Sequence, residues 1–600
     1  MLTRRQALLS ASALAVAGCA SAPAADESGQ SAAIEAFFEQ QFEAVVNDSP
    51  ELATYLGDRR GYDRWDDETE AHAEMRLQAL IASREDMRAR FDPAQLSAND
   101  RLSFRLYEHG VNRQEENWRW RNYGYTFNHH AGAQAGLPAF LINQHQVRSV
   151  SDAEAYVSRL EGLQTKIAQM LARSEQAAAM GVMPPRFSYE GILSSSRNVI
   201  TGAPFTDGED SPLWADFQSK VNALEIEQGE KDRLNAAGRA ALVGALQPAY
   251  ENLIAVMQAQ EARATDDDGA WKLPDGDEYY AARLNLFTTT NMSADEIHDT
   301  GLTNVERIHG EMRAIMQAVN FDGDLNAFFD FMETDAQFYV ADSAEGRAEY
   351  VRRATEVIDA MRTRLPDYFG RLPQADLEVR PVEAFREQAA GLAFYQRPAA
   401  DGSRPGVYYV NTYDVRAIPT YQIEALAYHE GLPGHHMQLS IAQELEGVPR
   451  FRRFLSFYTA YTEGWGLYSE RLGKEMGAYQ DPYSDFGRLV MELRRAIRLV
   501  VDTGIHSKRW TRQQAIDYVL ANQPSGERAA TRDIGRYIVT PGQATAYMIG
   551  QQEILRLREE ARTAMGERFS LSGFHDAVLE NGAVPLDVLG ELVRAWSGRA

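Results

Sequence analysis

Two segments of the chain carry the residue types that hydrolytic metal sites use. The first runs from Tyr428 to His436 and reads Tyr-His-Glu-Gly-Leu-Pro-Gly-His-His, and the second, from Thr462 to Glu470, contains two carboxylates. A hydrolytic zinc site needs about three protein ligands, one position open to water and a nearby carboxylate that takes a proton from that water. Together the two segments offer all of these groups, which predicts one zinc ion per chain and hydrolytic chemistry.

The spacing of the histidines departs from the common His-Glu-x-x-His pattern, in which two imidazoles one turn apart share a helix face. After His429, the next histidines are His435 and His436, so the second ligand comes two or three places late. If the backbone bulges between residues 431 and 434, His435 takes the usual position; Pro433 favours this, because proline collides with the preceding helical turn. On an unbroken helix His436 would return to the same face, but about 10 Å further along the axis. We favour His435 and keep His436 as the alternative ligand.

The third ligand is expected on a neighbouring helix. Glu463 and Glu470 are seven residues apart and therefore lie on one helical face. Their segment resembles a helix of aminopeptidase N-like zinc enzymes, Asn-Glu-Gly-Phe-Ala-x-Tyr-x-Glu, in which the first glutamate is the third ligand. That resemblance implies that Glu463 binds the metal and that Glu470 supports a ligand from behind. A carboxylate at the surface or the rim of the core is the alternative for Glu470.

The elements that must position these residues are mostly helices. Apolar residues recur at helical spacing in two early stretches, from Ile34 to Val45 and from Leu77 to Met87. Hydroxyl residues three places before Glu or Gln mark helix starts at Ser151–Glu154, Ser293–Glu296 and Thr511–Gln514. The clearest strand is the β-branched and aromatic run Gly406–Asn411. We predict a mainly α protein with a small β element next to the metal-binding helix.

The domain organisation has few internal signals. The segments Thr265–Gly269 and Pro398–Ser403 are rich in turn residues and could separate subdomains. No repeat of fixed period is present. We therefore expect residues 31–600 to form a single catalytic domain. This domain could consist of two helical lobes.

Four motifs together resemble the bacterial family catalogued as domain of unknown function 885. They are Arg404–Asn411, Tyr428–His436, Glu463–Trp465 and Pro541–Ala544. The resemblance covers most of the chain after residue 30. It implies a largely helical, zincin-like architecture and a metallopeptidase activity, but the family name itself says that substrates are poorly defined.

Other residues are candidates for holding the substrate. In thermolysin-like enzymes a strand edge just upstream of the metal helix pairs with the substrate backbone, which suggests this role for Tyr409 and Asn411 here. Arg536, Tyr537 and Tyr547 are candidates for stabilising the oxyanion or for holding a substrate carboxylate. We count the two tyrosines as catalytic candidates and Arg536 as a substrate-binding candidate. Ordinary structural roles are the alternative for each of them.

The hypothesis for function is hydrolysis of peptide bonds, with zinc held by His429, His435 or His436, and Glu463. Glu430 is expected to take the proton of the attacking water and to pass it to the leaving amine. The alternative from another class is a non-catalytic lipoprotein that binds or scaffolds peptides and keeps zinc for structure. A hydrolase of amides other than peptides would use the same chemistry.

The start of the chain predicts export. Residues 1–18 read as a signal peptide whose apolar run is too short to span a bilayer. Val16–Cys19 resembles a bacterial lipobox, and Thr3–Leu8 resembles a twin-arginine signal without its usual aromatic residue. Residues 19–30 are expected to be a flexible tether. We predict lipid attachment at Cys19, with a plain cleaved signal as the alternative.

The amino-acid composition excludes some classes of metal ligand and binding partner. Cys19 is the only cysteine, so disulfides and thiolate metal ligands are excluded. Ala20, which follows it, fits sorting to the outer membrane, with the domain facing the periplasm. The chain has 61 basic and 86 acidic residues and a formal net charge of -25, which would repel nucleic acid. We expect a peptide substrate, contact with the membrane only through the lipid, and no nucleic acid partner; the sequence leaves the oligomeric state open.

Overall fold

Helices make up most of the computed structural model, which describes residues 27–598 except 383–386, 388–390, 400, 401 and 403. The predicted signal, Cys19 and most of the tether lie outside the described residues. The predicted mainly α class with a small β element is confirmed.

Eleven α-helices lie between residues 27 and 290. Their bounds are α1 Glu27–Asp48, α2 Pro50–Tyr55, α3 Glu70–Arg90, α4 Ala98–Asn117, α5 Ala133–Asn143, α6 Val150–Ala179, α7 Phe187–Val199, α8 Pro212–Asn222, α9 Gln228–Ala241, α10 Gln247–Glu261 and α11 Gly276–Thr288.

Twelve α-helices follow among the described residues. Their bounds are α12 Ala294–Ala318, α13 Leu325–Thr334, α14 Ala344–Arg362, α15 Ile423–Glu430, α16 His435–Gln443, α17 Thr459–Glu475, α18 Pro482–His506, α19 Arg512–Asn522, α20 Glu527–Val539, α21 Ala546–Met565, α22 Leu571–Leu579 and α23 Leu586–Ser597.

Two of the three helix starts predicted from capping residues are confirmed. Ser293 and Thr511 each form a complete capping box, with Glu296 and Gln514 respectively. The third prediction was wrong by two residues. Ser149, rather than Ser151, caps α6 by accepting a hydrogen bond from the Asp152 backbone N–H.

The apolar side chains form two large cores. The smaller core is built by residues between Phe127 and Ala264, which belong to α5–α10 and their flanks. The larger core joins α1, α3 and α4 to the chain from Ala270 onward. The turn-rich segment Thr265–Gly269 begins just where the smaller core ends.

A three-stranded sheet lies next to the helices that carry the metal-ligand candidates. Its strands are β1 Leu377–Pro381, β2 Ala393–Gln396 and β3 Gly406–Val410, in the spatial order β1-β3-β2. β3 runs parallel to β1 and antiparallel to β2, with Leu377 opposite Gly406 and Ala393 opposite Val410. The predicted strand is confirmed as β3, which is buried along its whole length.

Glycines allow the closest helix contacts. A Cβ on Gly550 of α21 would lie 1.8 Å from the Ala460 carbonyl oxygen and 2.8 Å from the Cα of Gly464, both on α17. Because no side chain separates the backbones, α17 and α21 touch directly. A Cβ on Gly301 of α12 would instead meet mainly side-chain atoms of Val500 and Leu499 on α18.

No described helix combines the length and apolar character that crossing a membrane requires.

We predict opposite effects for two glycine substitutions on α12. Gly301→Ala should lower the free energy of unfolding by about 1–3 kcal/mol, because the new Cβ would lie 2.7 Å from Val500 Cγ2 and 2.8 Å from Leu499 Cβ. Gly310 is exposed, and a Cβ added to it would meet no atom within 4 Å. Gly310→Ala should therefore raise stability by about 0.5–1 kcal/mol. Urea unfolding followed by circular dichroism measures both, and equal stabilities would contradict the direct contact.

Candidate metal centre

Three side chains converge on one point between α15, α16 and α17. Glu463 Oε2 lies 3.5 Å from His429 Nε2 and 3.4 Å from His435 Nε2. All three donor atoms lie within 4.8 Å of one another, and no other such group of His, Cys, Asp and Glu occurs in the described part of the chain. Two imidazole nitrogens and one carboxylate are the donor set of hydrolytic zinc sites, so these residues fit that metal.

The late second histidine is explained by a break in the helix. α15 ends at Glu430 and α16 begins at His435, and the Gly431 and Gly434 backbones between them are not helical. A Cβ on Gly434 would lie 2.0 Å from the His429 carbonyl oxygen, so a larger residue would not fit there. The extra residues are taken up in this break, which returns His435 to the side of His429.

The break is held in place from α17. The Pro433 carbonyl accepts hydrogen bonds from Trp465 Nε1 at 2.9 Å and from the Ser469 hydroxyl at 3.3 Å. Trp465 is fully buried. Because Glu463 belongs to the same helix, these bonds set the position of the broken segment relative to the carboxylate.

A second carboxylate supports His429 from behind. His429 Nδ1 donates a hydrogen bond of 2.7 Å to Glu470 Oε1, and Glu470 is almost completely buried. Burial alone would lower the pKa of His429, but its hydrogen bonds to Glu463 and Glu470 outweigh burial and raise that pKa to about 10. This bond leaves Nε2 as the nitrogen that faces Glu463. Glu470 thus has the position that the sequence resemblance implied.

The second imidazole is held differently. His435 Nδ1 has no hydrogen-bond partner among the described residues, although the residue is buried. Its Nε2 faces Glu463. His435 is therefore oriented mainly by the backbone at the start of α16.

His436 does not join this group, so its place in the predicted ligand set is corrected. Its Nε2 donates to the Ala375 carbonyl oxygen, and its Nδ1 accepts from the Tyr395 hydroxyl, both at 3.0 Å. Burial lowers the pKa of His436 to about 4. The neutral imidazole fastens α16 to the chain around β1 and to β2, because the helix break turns it away from His429.

Glu430 stands at the end of α15, beside His429. Its side chain is half-buried and makes no hydrogen bond with any described residue. It lies close enough to act electrostatically on His429 and on Tyr408 of β3. A carboxylate with free oxygens in this position can exchange protons with water.

Tyr537 and Tyr547, the two tyrosines predicted to be catalytic, both lie next to Arg498. Arg498 Nε donates to the Tyr537 hydroxyl at 2.9 Å, and its guanidinium lies 4.6 Å from the centre of the Tyr547 ring. The Tyr547 hydroxyl makes no hydrogen bond with any described residue and is not enclosed. Arg536, on α20, donates to Gln543 Oε1 at 2.6 Å.

A second arginine connects this cluster to the metal ligands. Arg495 Nη2 lies 3.4 Å from Glu470 Oε1, and its guanidinium lies 5.8 Å from the centre of the Tyr547 ring. The same Glu470 oxygen accepts from His429. One arginine and one glutamate therefore separate Tyr547 from a metal-ligand candidate.

The predicted pairing of Tyr409 and Asn411 with a substrate backbone is wrong, because β3 is the central strand and both of its edges are taken. The Tyr409 ring stacks on Phe394 with 4.9 Å between ring centres. The Asn411 backbone N–H donates to Leu392, and its side-chain amide donates to the Glu387 and Gly391 carbonyls. Both residues therefore contact β2 or the chain just before it.

Comparison with known proteins identifies the family. The family model described as "Bacterial protein of unknown function (DUF885)" matches residues 50–593. The chain belongs to this DUF885 family. The resemblance carried by its motifs is thereby confirmed as far as the family, and no curated protein matches the chain.

Two solved structures are similar to this DUF885 member. One is a "putative lipoprotein" from Colwellia psychrerythraea, with 28% sequence identity and a TM-score of 0.88 over 95% of this chain and 100% of that one. The other is a "putative lipoprotein of unknown function" from Shewanella oneidensis, with 19% identity and a TM-score of 0.70 over 93% and 99% of the two chains. The second likeness shows the shared fold alone.

The sequence reasoning missed Arg495 and Arg498, which lie in the most buried part of α18. Their signal was present: α18 places arginines at 494, 495 and 498 in a helix that is otherwise largely apolar from Phe486 to Ile505. Charged residues are rarely buried without a partner. Arginines on the buried face of a helix are therefore candidates for site residues.

His506 makes the position of Tyr537 sensitive to pH. Its Nδ1 accepts from the Ala270 backbone N–H at 2.9 Å, and its Nε2 donates to the Tyr537 carbonyl oxygen at 3.0 Å. This arrangement requires a neutral ring, and burial lowers the pKa of His506 to about 4. The unfolded chain takes up this proton near pH 6.5, so stability is lost as the pH falls from there toward 4.

We predict that His506→Gln, which can accept and donate but does not titrate, reduces this loss. Between pH 7.5 and pH 5, the wild type should lose about 1–2 kcal/mol more unfolding free energy than the variant. Urea unfolding at both pH values measures the difference. Identical losses in the two proteins would show that His506 is not held neutral.

Proposed function

We propose that this chain is a zincin-like, zinc-dependent peptidase of the bacterial cell envelope. The observation that carries the proposal is the convergence of His429, His435 and Glu463, with Glu430 beside them. The donor set matches hydrolytic zinc sites, and Glu470 behind His429 matches the carboxylate partners that orient metal-ligating histidines.

The number of donors favours catalysis over a structural role. Structural zinc sites are usually closed by four protein ligands, whereas catalytic sites keep one position open. The group contains three candidate donors among the described residues. This supports the peptidase over the alternative, a non-catalytic peptide-binding or scaffold lipoprotein with structural zinc.

Different residues would have different roles in peptide hydrolysis. Zinc, when bound, supplies a Lewis acid that polarises a carbonyl and makes water acidic enough to lose a proton near neutral pH. The Glu430 carboxylate takes that proton and later gives it to the leaving amine. Glu470 keeps the His429 proton on Nδ1, so that Nε2 presents its lone pair.

The envelope location rests on two observations. Val16–Cys19 has the order of a lipobox, and both similar structures are described as lipoproteins. We propose a lipid anchor at Cys19 that holds the catalytic domain at the outer membrane, facing the periplasm.

Catalysis is tested by separating metal binding from cleavage. We expect Glu430→Gln to keep one zinc per chain and to lose peptide cleavage by about 10²–10⁴-fold, because only the proton acceptor is removed. His435→Ala should lose the zinc as well, whereas His436→Ala should keep it. Atomic emission measures the metal, and a fluorogenic peptide mixture measures cleavage.

The outcomes distinguish the candidate functions. Folded wild-type protein that takes up no zinc contradicts the proposal. Zinc binding without cleavage of any peptide, together with full metal retention in Glu430→Gln, favours the non-catalytic lipoprotein. Loss of zinc in His436→Ala but not in His435→Ala would reverse the ligand assignment.

The support from Glu470 predicts a specific change in metal affinity. Glu470→Gln should weaken zinc binding by about 10–100-fold, because the amide no longer fixes His429 as a proton donor at Nδ1. Glu475→Gln is the matched control on the same helix, since Glu475 pairs with Arg558 away from the metal ligands. Competition with a fluorescent zinc chelator measures both affinities. Equal affinities in the two variants would remove Glu470 from the site.

A further inference from the structure

Four arginines, of which Arg495 and Arg498 are buried, are concentrated beside the candidate metal centre. Arg494, Arg495 and Arg498 lie on α18, and Arg536 lies on the adjacent α20. This is unexpected in a chain whose formal net charge is -25. A cationic cluster in an acidic protein attracts anions to one place.

The arginines of this cluster are not equally paired. Arg495 lies 3.4 Å from Glu470, and Arg494 lies 3.8 Å from Asp533. Arg498 and Arg536 have no carboxylate within 4 Å among the described residues. The ion pairs of the fold therefore leave two guanidinium groups without a counter-charge in contact.

Arg498 is the more unusual of the two. It is only 7% exposed. Its Nε is satisfied by the neutral Tyr537 hydroxyl, and its Nη1 is enclosed without a hydrogen-bond partner among the described residues. Asp533 acts on Arg498 electrostatically but forms no ion pair with it within 4 Å, so the buried charge is compensated only in part. A buried charge without a counter-ion in contact is costly, and an anionic ligand would lower that cost.

Two less enclosed groups, the Tyr547 hydroxyl and Arg536, lie near Arg498, whose guanidinium is 5.7 Å from the centre of the Tyr537 ring. The Tyr547 ring covers its guanidinium at 4.6 Å, and the Tyr547 hydroxyl is neither enclosed nor hydrogen-bonded among the described residues. Arg536 is half-buried, and its guanidinium lies 5.6 Å from the centre of the Tyr537 ring. A small anion could contact the hydroxyl and Arg536, with the charge of Arg498 behind them.

We propose that Arg498, Arg536 and Tyr547 form a subsite for a substrate carboxylate. This inference rests on the proposed function for its position relative to the cleaved bond. Arg495 contacts both Glu470, behind His429, and the Tyr547 ring, so the subsite lies within a few side chains of the metal ligands. The substrate is then a peptide whose carboxylate lies near the cleaved bond, as in removal of residues from a carboxyl terminus.

Two sources could supply this carboxylate. One is the free α-carboxylate of the last residue, and the other is the side chain of Asp or Glu. Both use the same two-oxygen anion, which a guanidinium binds through paired hydrogen bonds. Ligands that carry only one of the two groups distinguish the sources.

Binding of small carboxylates tests the subsite without any turnover. Calorimetry compares N-acetylphenylalanine, its amide, and the α-amide of N-acetylglutamic acid, on purified protein freed of zinc. We expect at least one of the acids to bind about tenfold or more tightly than the neutral amide. The preference should fall to less than about threefold in Arg536→Gln and in Arg498→Met. It should persist in Arg532→Gln, an exposed arginine one turn from Arg536.

Several results would overturn the subsite. These are equal affinities for acids and amide in the wild type, including binding too weak to detect, or a preference that appears only with zinc. A preference retained in Arg536→Gln would also overturn it. Thermal unfolding shows whether Arg498→Met is folded; if it is not, Arg536→Gln and Tyr547→Phe decide, the latter being expected to weaken the acid by about threefold or more.

Cleavage assays separate failure of the subsite from failure of the proposed function. A peptide with a free carboxyl terminus and its terminal amide, both without acidic side chains, are compared with an amidated peptide that contains glutamate. Equal cleavage of all three refutes the subsite and leaves the peptidase standing. Acid-selective binding without zinc uptake or cleavage refutes the peptidase and leaves the anion subsite standing.

Discussion

The hydrogen bonds to the Pro433 carbonyl are the constraint on which the site depends. They join the interruption between α15 and α16 to Trp465 and Ser469 of α17. Without the interruption, residue 435 would point away from residue 429 on a continuous helix. With it, the two imidazoles and Glu463 face one another, so the geometry of the centre is set by a backbone carbonyl that binds no metal.

α18 is the common support for the charges around this centre. It places Arg495 against Glu470 and Arg498 against Tyr537, and it ends at His506, which holds the Tyr537 backbone. Each of these contacts is buried, where electrostatic interactions are strong and unmet polar groups are costly. The metal-ligand candidates and the tyrosine cluster are therefore two ends of one polar network, which runs through an otherwise apolar core.

The sequence predicted the residues whose signal is local. His429 follows from the His-Glu pattern, and Glu463 follows from the resemblance of its segment to the helix of aminopeptidase N-like enzymes. The preference for His435 over His436 follows from Pro433, whose ring disfavours a continuous helix. The capping boxes at Ser293 and Thr511 depend only on four neighbouring residues.

Contacts between parts of the chain that are distant in sequence could not be predicted in this way. The strand at residues 406–410 was recognised, but its central place was not, because β1 and β2 reach it from outside its own neighbourhood. The sequence also left His436 open as a ligand, since its true partners, Ala375 and Tyr395, come from the sheet region.

The contact between Gly464 and Gly550 has a consequence for motion. Backbones that touch without intervening side chains cannot slide past each other without steric overlap, so α17 and α21 must move as one rigid unit. Glu463 is on one of these helices and Tyr547 on the other. Movement in this region must therefore occur between this unit and its surroundings, while the distance between Glu463 and Tyr547 stays fixed.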